Sequence, residues 1–197
     1  MNEKTTFQHG LEGSLTEIIR AVPNDAEVIC SIRDAAWMGT YPNEELGITL
    51  EDVRINAQGL NGEFVPRRIA WFKQKIAEDD ENWVAYVGKI DNDVRGFVVA
   101  SRNDEGRRLV NSIYVEPGFQ GKGLGRKLMD KALDWLGGEE DIYFEVASYN
   151  DAAIRFYERF GFEKTENKVE EEPDRPSYIT PIPQIEMILK PASNQIA

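Results

Sequence analysis

Cysteine is nearly absent from this sequence, because Cys30 is the single one among 197 residues. One cysteine cannot form an internal disulfide, so other interactions must stabilise the fold. No apolar run approaches the length of a membrane-spanning helix, and the first residues lack the pattern of a secretory signal. We therefore expect a cytoplasmic protein without a membrane partner. We also expect no bound metal.

Positive charge is in short supply as well. Lys and Arg number 23 against 35 Asp and Glu, which gives a formal net charge of −12. This charge argues against nucleic acid as the main partner and is compatible with a cationic small molecule, although an acidic surface that serves only solubility is the simpler explanation. The length and the 41% hydrophobic content fit one domain with a full core. We expect residues 15–190 to form that domain, behind a flexible segment of residues 1–14.

Apolar periodicity predicts alternating strands and helices. Cys30 lies on the apolar side of the first helix and is expected in the core. The predicted strands are Leu15–Val22, Trp83–Ile90, Val94–Ala100, Arg107–Val115, Asp141–Ala147, Phe162–Thr165 and Gln184–Leu189. The predicted helices are one that Asn24 or Asp25 caps, a short one capped by Thr49 with Asp52, and those over Pro66–Glu78, Gly123–Gly137 and Asn150–Gly161. An acidic, proline-rich excursion, Glu166–Pro183, is either a flap near the site or a surface loop.

The stretch from Val115 to Leu128, V-E-P-G-F-Q-G-K-G-L-G-R-K-L, is the most informative part of the chain. A strand stops before Pro117, a glycine-rich turn follows, and apolar residues then recur at helical spacing. Glycines in such a turn let backbone N–H groups converge on one anion at the start of the helix. The pattern therefore predicts a phosphate or pyrophosphate site, with a tight turn without a ligand as the alternative.

The spacing of the glycines excludes two common phosphate motifs. No Gly-Lys-Ser/Thr follows four spacer residues, and Arg126 stands where the dinucleotide fingerprint requires its last glycine. The stretch from Gln120 to Gly125 matches Q/R-x-x-G-x-G/A instead. It resembles the acetyl-CoA loop of the GNAT superfamily of N-acetyltransferases. A second stretch, in which Asn150, Ala153, Tyr157, Gly161 and Phe162 recur at the family's spacing, resembles its later motif.

This resemblance spans about Leu15 to Leu189 and implies a fold. The expected architecture is α/β (α+β), with a mixed, mostly antiparallel sheet of about seven strands. The sheet is expected to splay at a V-shaped cofactor cleft and to be flanked by about four helices. The implied cosubstrate is acetyl-CoA. Its implied contacts are with Ile113, Tyr114, Val115 and Asn150 for the pantetheine arm, and with Gln120, Gly121, Lys122, Gly123, Leu124, Gly125 and Arg126 for the pyrophosphate.

The resemblance also suggests catalytic residues. Tyr157 is the candidate general acid, because a phenol with a pKa of about 10 is protonated at neutral pH and a thiolate accepts its proton; the alternative is a core tyrosine. The strand before the glycine turn contains no acid, so Glu145 is the candidate general base, and the alternative is a plain solvent-facing glutamate. Water or an acid from the first helices could then serve as the base instead. Trp37 and Tyr41 match the place where relatives build the acceptor pocket, with Tyr41 the better candidate because Trp37 also suits the core.

Two functions are consistent with these features. One is an enzyme that moves acetyl from acetyl-CoA to a primary amine, such as a polyamine or a peptide amine, by direct attack in a ternary complex. The other is a CoA-binding sensor or interaction module without turnover. Cys30 lies on the wrong element for an acyl-enzyme. The oligomeric state is left open, with a homodimer as one option.

Overall fold

The computed structural model describes residues 15–168 and 180–191. Seven strands form one sheet in the order β1-β2-β3-β4-β5-β7-β6. Every neighbouring pair is antiparallel except β4 with β5. The strands are β1 Thr16–Arg20, β2 Trp83–Ile90, β3 Asp93–Arg102, β4 Arg108–Val115, β5 Ile142–Ala147, β6 Glu163–Lys168 and β7 Gln184–Leu189. The mixed, mostly antiparallel sheet of seven strands is confirmed.

In the described residues five α-helices accompany the sheet, which is the number that the local sequence patterns predict and one more than the approximate count that the family resemblance implies. They are α1 Ala26–Thr40, α2 Leu50–Gln58, α3 Phe64–Ala77, α4 Leu124–Leu136 and α5 Asp151–Glu158. Thr49 accepts a hydrogen bond from the Asp52 N–H, and the Asp52 carboxylate accepts from the Thr49 N–H, so the predicted capping pair forms. The α3 helix starts two residues before Pro66, since a proline in the first turn loses no helical hydrogen bond.

Local sequence signals also explain the hairpin between β2 and β3. Asp91 and Asn92 both have positive φ, at 52° and 71°. Two successive residues of that conformation make the turn whose twist matches a two-residue hairpin. The meander β2-β3-β4 therefore forms as the sequence predicts.

Two apolar clusters cover the two faces of the sheet. On one face α1 and α3 pack against β2 and β3, and this cluster includes Cys30, which is buried as expected. On the other face α4 and α5 pack against β2 to β5, around Leu128, Phe144 and Tyr157. The helices of the two faces therefore approach the β4–β5 junction from opposite sides.

The expected flexible segment of residues 1–14 lies outside the described residues. So does most of the 166–183 excursion. Where the chain is described again, the Asn56 side-chain amide donates to the Thr180 carbonyl oxygen at 2.6 Å, and the Thr180 hydroxyl donates to Asp52 at 2.7 Å. The end of the excursion is thus fastened to α2.

Candidate active site

The site begins where the two parallel strands separate. β4 and β5 are paired from Arg108 with Ile142 only as far as Val110 with Phe144. Beyond that point β4 stays paired with β3, and β5 stays paired with β7. The β3–β4 register shifts so that Asn111 is an extra residue on β4. Such a bulge bends a strand and increases its twist, and here it coincides with the separation.

The separation opens a cleft of about 690 Å³. Of the residues predicted for the site, the ones that line it are Tyr41, Ile113, Tyr114, Val115, Gln120, Gly121, Gly123, Gly125, Arg126, Glu145, Asn150 and Tyr157. Sequence reasoning did not single out several other lining residues, among them Thr40, Asn111, Ser112, Phe156, Arg159 and Phe160. For Phe156 and Phe160, the apolar stripe of α5 was a signal, but it indicated only burial.

The glycine-rich turn forms one end of the cleft. Gly121 and Gly123 have φ of 72° and 86°, and no protein atom lies within 4 Å of the position a Cβ would take at either residue. Gly123 is the N-cap of α4, so the first N–H groups of that helix have no intrahelical acceptor. The Gln120 side-chain amide donates to the Val115 carbonyl oxygen at 3.1 Å and ties the turn to the end of β4. The turn therefore presents backbone donors and empty space together.

Two residues of the predicted loop do not line the cleft. The Lys122 side chain is exposed, with its Nζ 5.1 Å from the centre of the Phe119 ring. Leu124 is 2% exposed and packs in the core. The positive charge in the cleft wall comes instead from Arg126 and from Arg159 on α5.

Asn150 has the geometry to serve two purposes. Its Oδ1 accepts a hydrogen bond from the Ala153 N–H at 3.1 Å and so caps α5. Capping uses only the carbonyl oxygen, which leaves the two Nδ2 protons available on the cleft side.

Tyr157 lies at the floor of the cleft with 5% of its surface exposed. Phe144 and Phe156 surround it, with ring centroids 4.2 and 5.3 Å away. Burial raises the pKa of its phenol well above the ordinary value, and the neighbouring Tyr114 adds to the rise. Tyr157 is therefore both a packed aromatic and a protonated hydroxyl at neutral pH.

Glu145 stands on the other side of β5 from Phe144. Since side chains alternate along a strand and Phe144 faces α4 and α5, the Glu145 carboxylate is on the α1 side of the sheet. Its side chain is exposed, and among residues 15–168 and 180–191 it forms no ion pair. The cleft thus contains an unpaired carboxylate on its β5 wall.

Aromatic residues form the opposite wall. The Trp37 Nε1–H donates to the Tyr114 hydroxyl at 2.8 Å, and the Tyr41 and Tyr114 hydroxyl oxygens are 3.3 Å apart. Tyr41 lines the cleft, whereas Trp37 stands behind it. Burial, followed by the nearby Tyr114, raises the pKa of Tyr41 far above its usual range. The Tyr149 hydroxyl donates to the Tyr41 carbonyl oxygen at 2.7 Å and joins this wall to the end of β5.

Neither a membrane-spanning helix nor a cluster of metal ligands occurs in the described parts of the chain. No helix there combines the length and apolarity that crossing a membrane requires. Across the same residues, no group of three or more His, Cys, Asp or Glu side chains is placed to hold a metal ion.

Comparison with known families identifies the fold's relatives. The model of the acetyltransferase (GNAT) family matches residues 51–162, more than half of the chain. The chain belongs to the GNAT family. The parted strands, the glycine turn and the α5 motif are thus the parts of a GNAT domain.

Individual relatives differ in what they act on. An Escherichia coli L-amino acid N-acyltransferase is 33% identical over 104 residues, covering 48% of this chain and 57% of its own. A Bacillus subtilis spermine/spermidine N(1)-acetyltransferase is 34% identical over 64 residues, covering 31% of this chain and 42% of its own. This chain spans about half the length of the curated relatives it matches.

A solved structure extends the likeness over most of the fold. The acetyltransferase yncA of Salmonella typhimurium, determined with its cofactor acetyl-CoA, has a TM-score of 0.61 at 24% identity. The match covers 89% of this chain and 93% of that one. At this identity the likeness establishes the GNAT fold alone.

Proposed function

We propose that the protein is an acetyl-CoA-dependent N-acetyltransferase that modifies a primary amine by direct attack in a ternary complex. The observation that carries the proposal is the cleft between β4 and β5, which has a glycine-rich helix start at one end and Tyr157 at its floor. Acetyl-CoA supplies an activated acetyl group, bound as a thioester. The residues of this chain supply binding, orientation and proton transfer.

The glycine turn fits a pyrophosphate. The empty space beside Gly121 and Gly123 admits phosphate oxygens close to the backbone, and the start of α4 favours negative charge. Arg126 and Arg159 add positive charge in the cleft wall. The free edge of β4 from Ile113 to Val115, together with the Asn150 amide, suits the amide groups of a pantetheine arm. A β4 N–H then polarises the acetyl carbonyl.

Proton transfer falls to two residues. Tyr157 keeps its proton at neutral pH and donates it to the departing thiolate sulfur. Glu145 is unpaired and lies on the acceptor side. It takes a proton from the acceptor ammonium, because only the neutral amine can attack the thioester carbonyl. The two residues face the cleft from α5 and β5, so each serves one end of the reaction. Cys30 belongs to α1, is buried in the apolar cluster between that helix and the sheet, and has no part in the reaction.

The acceptor enters from the side of α1. The net charge of −12 favours a cationic acceptor, either a polyamine or a peptide amine. That charge is spread over the whole chain, however, whereas the walls of the cleft decide what binds inside it.

Release of free CoA thiol provides the test. The protein is mixed with acetyl-CoA and, in separate reactions, with polyamines, amino acids and short peptides, and thiol release is followed with a chromogenic disulfide. Amine-dependent release supports the proposal. Tight binding of acetyl-CoA without release for any amine contradicts it and favours a CoA-binding sensor.

A further inference from the structure

A half-buried cluster of charges lies behind the aromatic wall. Arg33 and Arg68 both pair with the Asp34 carboxylate, at 3.1 and 3.2 Å, and the three side chains are 18%, 16% and 12% exposed. Among the described residues, Asp34 is the only carboxylate that pairs with either guanidinium. Two cations and one anion leave one positive charge without a counterion in a poorly hydrated place.

The surroundings of Arg33 agree with an uncompensated charge. Burial lowers the pKa of the Arg33 guanidinium, and the neighbouring Arg68 lowers it further. Arg68 also donates to the Ala57 carbonyl oxygen at 2.7 Å, so its guanidinium is held between α1 and α2. Arg33 donates only to Asp34, at 3.1 Å, within the described residues. Arg68 also keeps a buried Nε–H without an acceptor among the described residues, but Arg33, with a single hydrogen bond, has more donors to spare.

Arg33 is connected to the cleft through one face of α1. Its guanidinium carbon is 3.8 Å from the centre of the Trp37 ring, and the Trp37 and Tyr41 rings meet edge to face at 5.0 Å. The positive charge of Arg33 is therefore stacked on Trp37, whose indole N–H donates to the Tyr114 hydroxyl in the cleft wall.

Trp37, Tyr41 and Tyr114 together have one hydrogen-bond donor more than their mutual hydrogen bonds use. The Trp37 N–H, the Tyr114 O–H and the Tyr41 O–H are three donors joined by two hydrogen bonds. An indole N–H only donates, so Trp37 uses its proton on Tyr114. Whichever phenol donates to the other, one O–H is left over. Both phenols line the cleft, so the remaining donor is available to a ligand there.

We propose that this wall recognises a carboxylate on the acceptor, so that the acceptor is an amine that also carries a carboxylate, as an α-amino acid does. The remaining O–H of the Tyr41–Tyr114 pair donates to a carboxylate oxygen, and Arg33 supplies the positive potential. On the β5 wall, the unpaired Glu145 faces the amine. The two walls thus match the two charges of an amino acid, whereas a polyamine would bring only positive charge to Arg33.

This inference rests on the proposed acetyltransferase function, and matched acceptors test it. L-Methionine is compared with 3-(methylthio)propylamine, which is the same molecule without its carboxylate, and with spermidine. We expect kcat/KM for the amino acid to exceed that for the decarboxylated amine by roughly ten- to a hundred-fold, the range for a charge-assisted contact. The same comparison is made for L-phenylalanine and phenethylamine, so that one side chain does not decide the result.

Variants of Arg33 and Tyr114 test whether these residues cause the preference for a carboxylate. Arg33→Gln should raise KM for the amino acid roughly tenfold or more and leave KM for the decarboxylated amine unchanged. Arg67→Gln removes an equal charge from the exposed neighbour of Arg68 on α3 and should change neither. Because Arg33→Gln also breaks its pair with Asp34, thermal melts accompany it. Tyr114→Phe removes one hydroxyl without touching that pair and should reduce the preference for the carboxylate in the same direction.

The possible results separate the two proposals. Equal kcat/KM for the amino acids and their decarboxylated amines would overturn the carboxylate site, as would a preference for spermidine, and either result would leave the acetyltransferase function standing. Absence of thiol release with every acceptor would overturn both. The assignment to this wall would also be overturned if Arg67→Gln lost the preference for the amino acid over its decarboxylated amine to the same extent as Arg33→Gln.

Discussion

Gly123→Ala tests the pyrophosphate site most directly. Gly123 caps α4 with φ of 86°, a conformation that costs an L-residue about 1–2 kcal/mol. Alanine also restricts the unfolded chain, which returns about 0.4–1 kcal/mol. The net loss in free energy of unfolding is therefore on the order of 1 kcal/mol. For a chain of this size that loss corresponds to a melting temperature lower by about 2–4 °C.

The effect on acetyl-CoA should be larger than the effect on stability. The added methyl would enter space that is free of protein atoms within 4 Å, and relaxation of the strained turn would re-aim the N–H groups at the start of α4. Losing one hydrogen bond to a charged group costs about 1.5–3 kcal/mol. We therefore expect the Kd of acetyl-CoA to rise roughly ten- to a hundred-fold, as measured by calorimetry.

Gly106→Ala is the matched control. Gly106 has φ of 80°, equally open surroundings and a place in the β3–β4 turn, away from the residues that line the cleft. It should lose similar stability and retain the Kd of the unmodified protein. A Gly123→Ala protein with the expected drop in melting temperature but an unchanged Kd would refute the pyrophosphate site. Equal weakening of binding in both variants would show that strain alone is responsible.

Three further predictions concern the titratable residues of the cleft. Tyr157→Phe keeps the ring among its aromatic neighbours, so the melting temperature should change little while kcat falls roughly 10²- to 10⁴-fold; wild-type kcat would end the general-acid role. Glu145→Gln should lower kcat/KM for the amine roughly 10²- to 10⁴-fold and leave the Kd of acetyl-CoA unchanged, and an unchanged kcat/KM would exclude Glu145 as the base. The raised pKa values of Tyr41 and Tyr157 mean that the folded protein retains protons which the unfolded chain loses near pH 10. Stability should therefore be intact below that pH and fall above it, a decline that denaturant titrations at pH 8 and 10.5 should find smaller in Tyr41→Phe.

The sequence was sufficient wherever short-range rules govern structure. The capping pair of Thr49 with Asp52, the hairpin at Asp91 and Asn92, and the helix after Gly123 all follow from contacts within a few residues. The number of strands followed as well, because apolar alternation marks each one. Trp83–Ile90 and Gln184–Leu189 have the predicted bounds, and the other boundaries moved by up to three residues. The last turn of a helix or the end of a strand depends on neighbours that a linear pattern does not contain.

Tyrosine 114 illustrates what a linear pattern does not contain. The sequence predicted only a backbone contact between Tyr114 and the cofactor. In the structure its hydroxyl accepts a hydrogen bond from the indole N–H of Trp37, 77 residues earlier in the chain. Similarly, Asp34 is joined to Arg68 across 34 residues. Packing on the sheet selects side-chain partners at such separations. The excess positive charge around Asp34 and the pairing of the Tyr41 and Tyr114 hydroxyls could therefore not be predicted from the sequence.

What the sequence by itself determined is the family and the glycine turn before α4, since the conformation of such a turn and the free N–H groups of a helix start are properties of the local backbone. Only the tertiary structure decided where β4 and β5 part, because the bulge at Asn111 is a property of the register between strands. The tertiary structure also decided the surroundings of Arg33, which is one of 23 cations in an acidic chain. Packing buries it with Arg68 around the single carboxylate of Asp34, and its guanidinium stacks on Trp37.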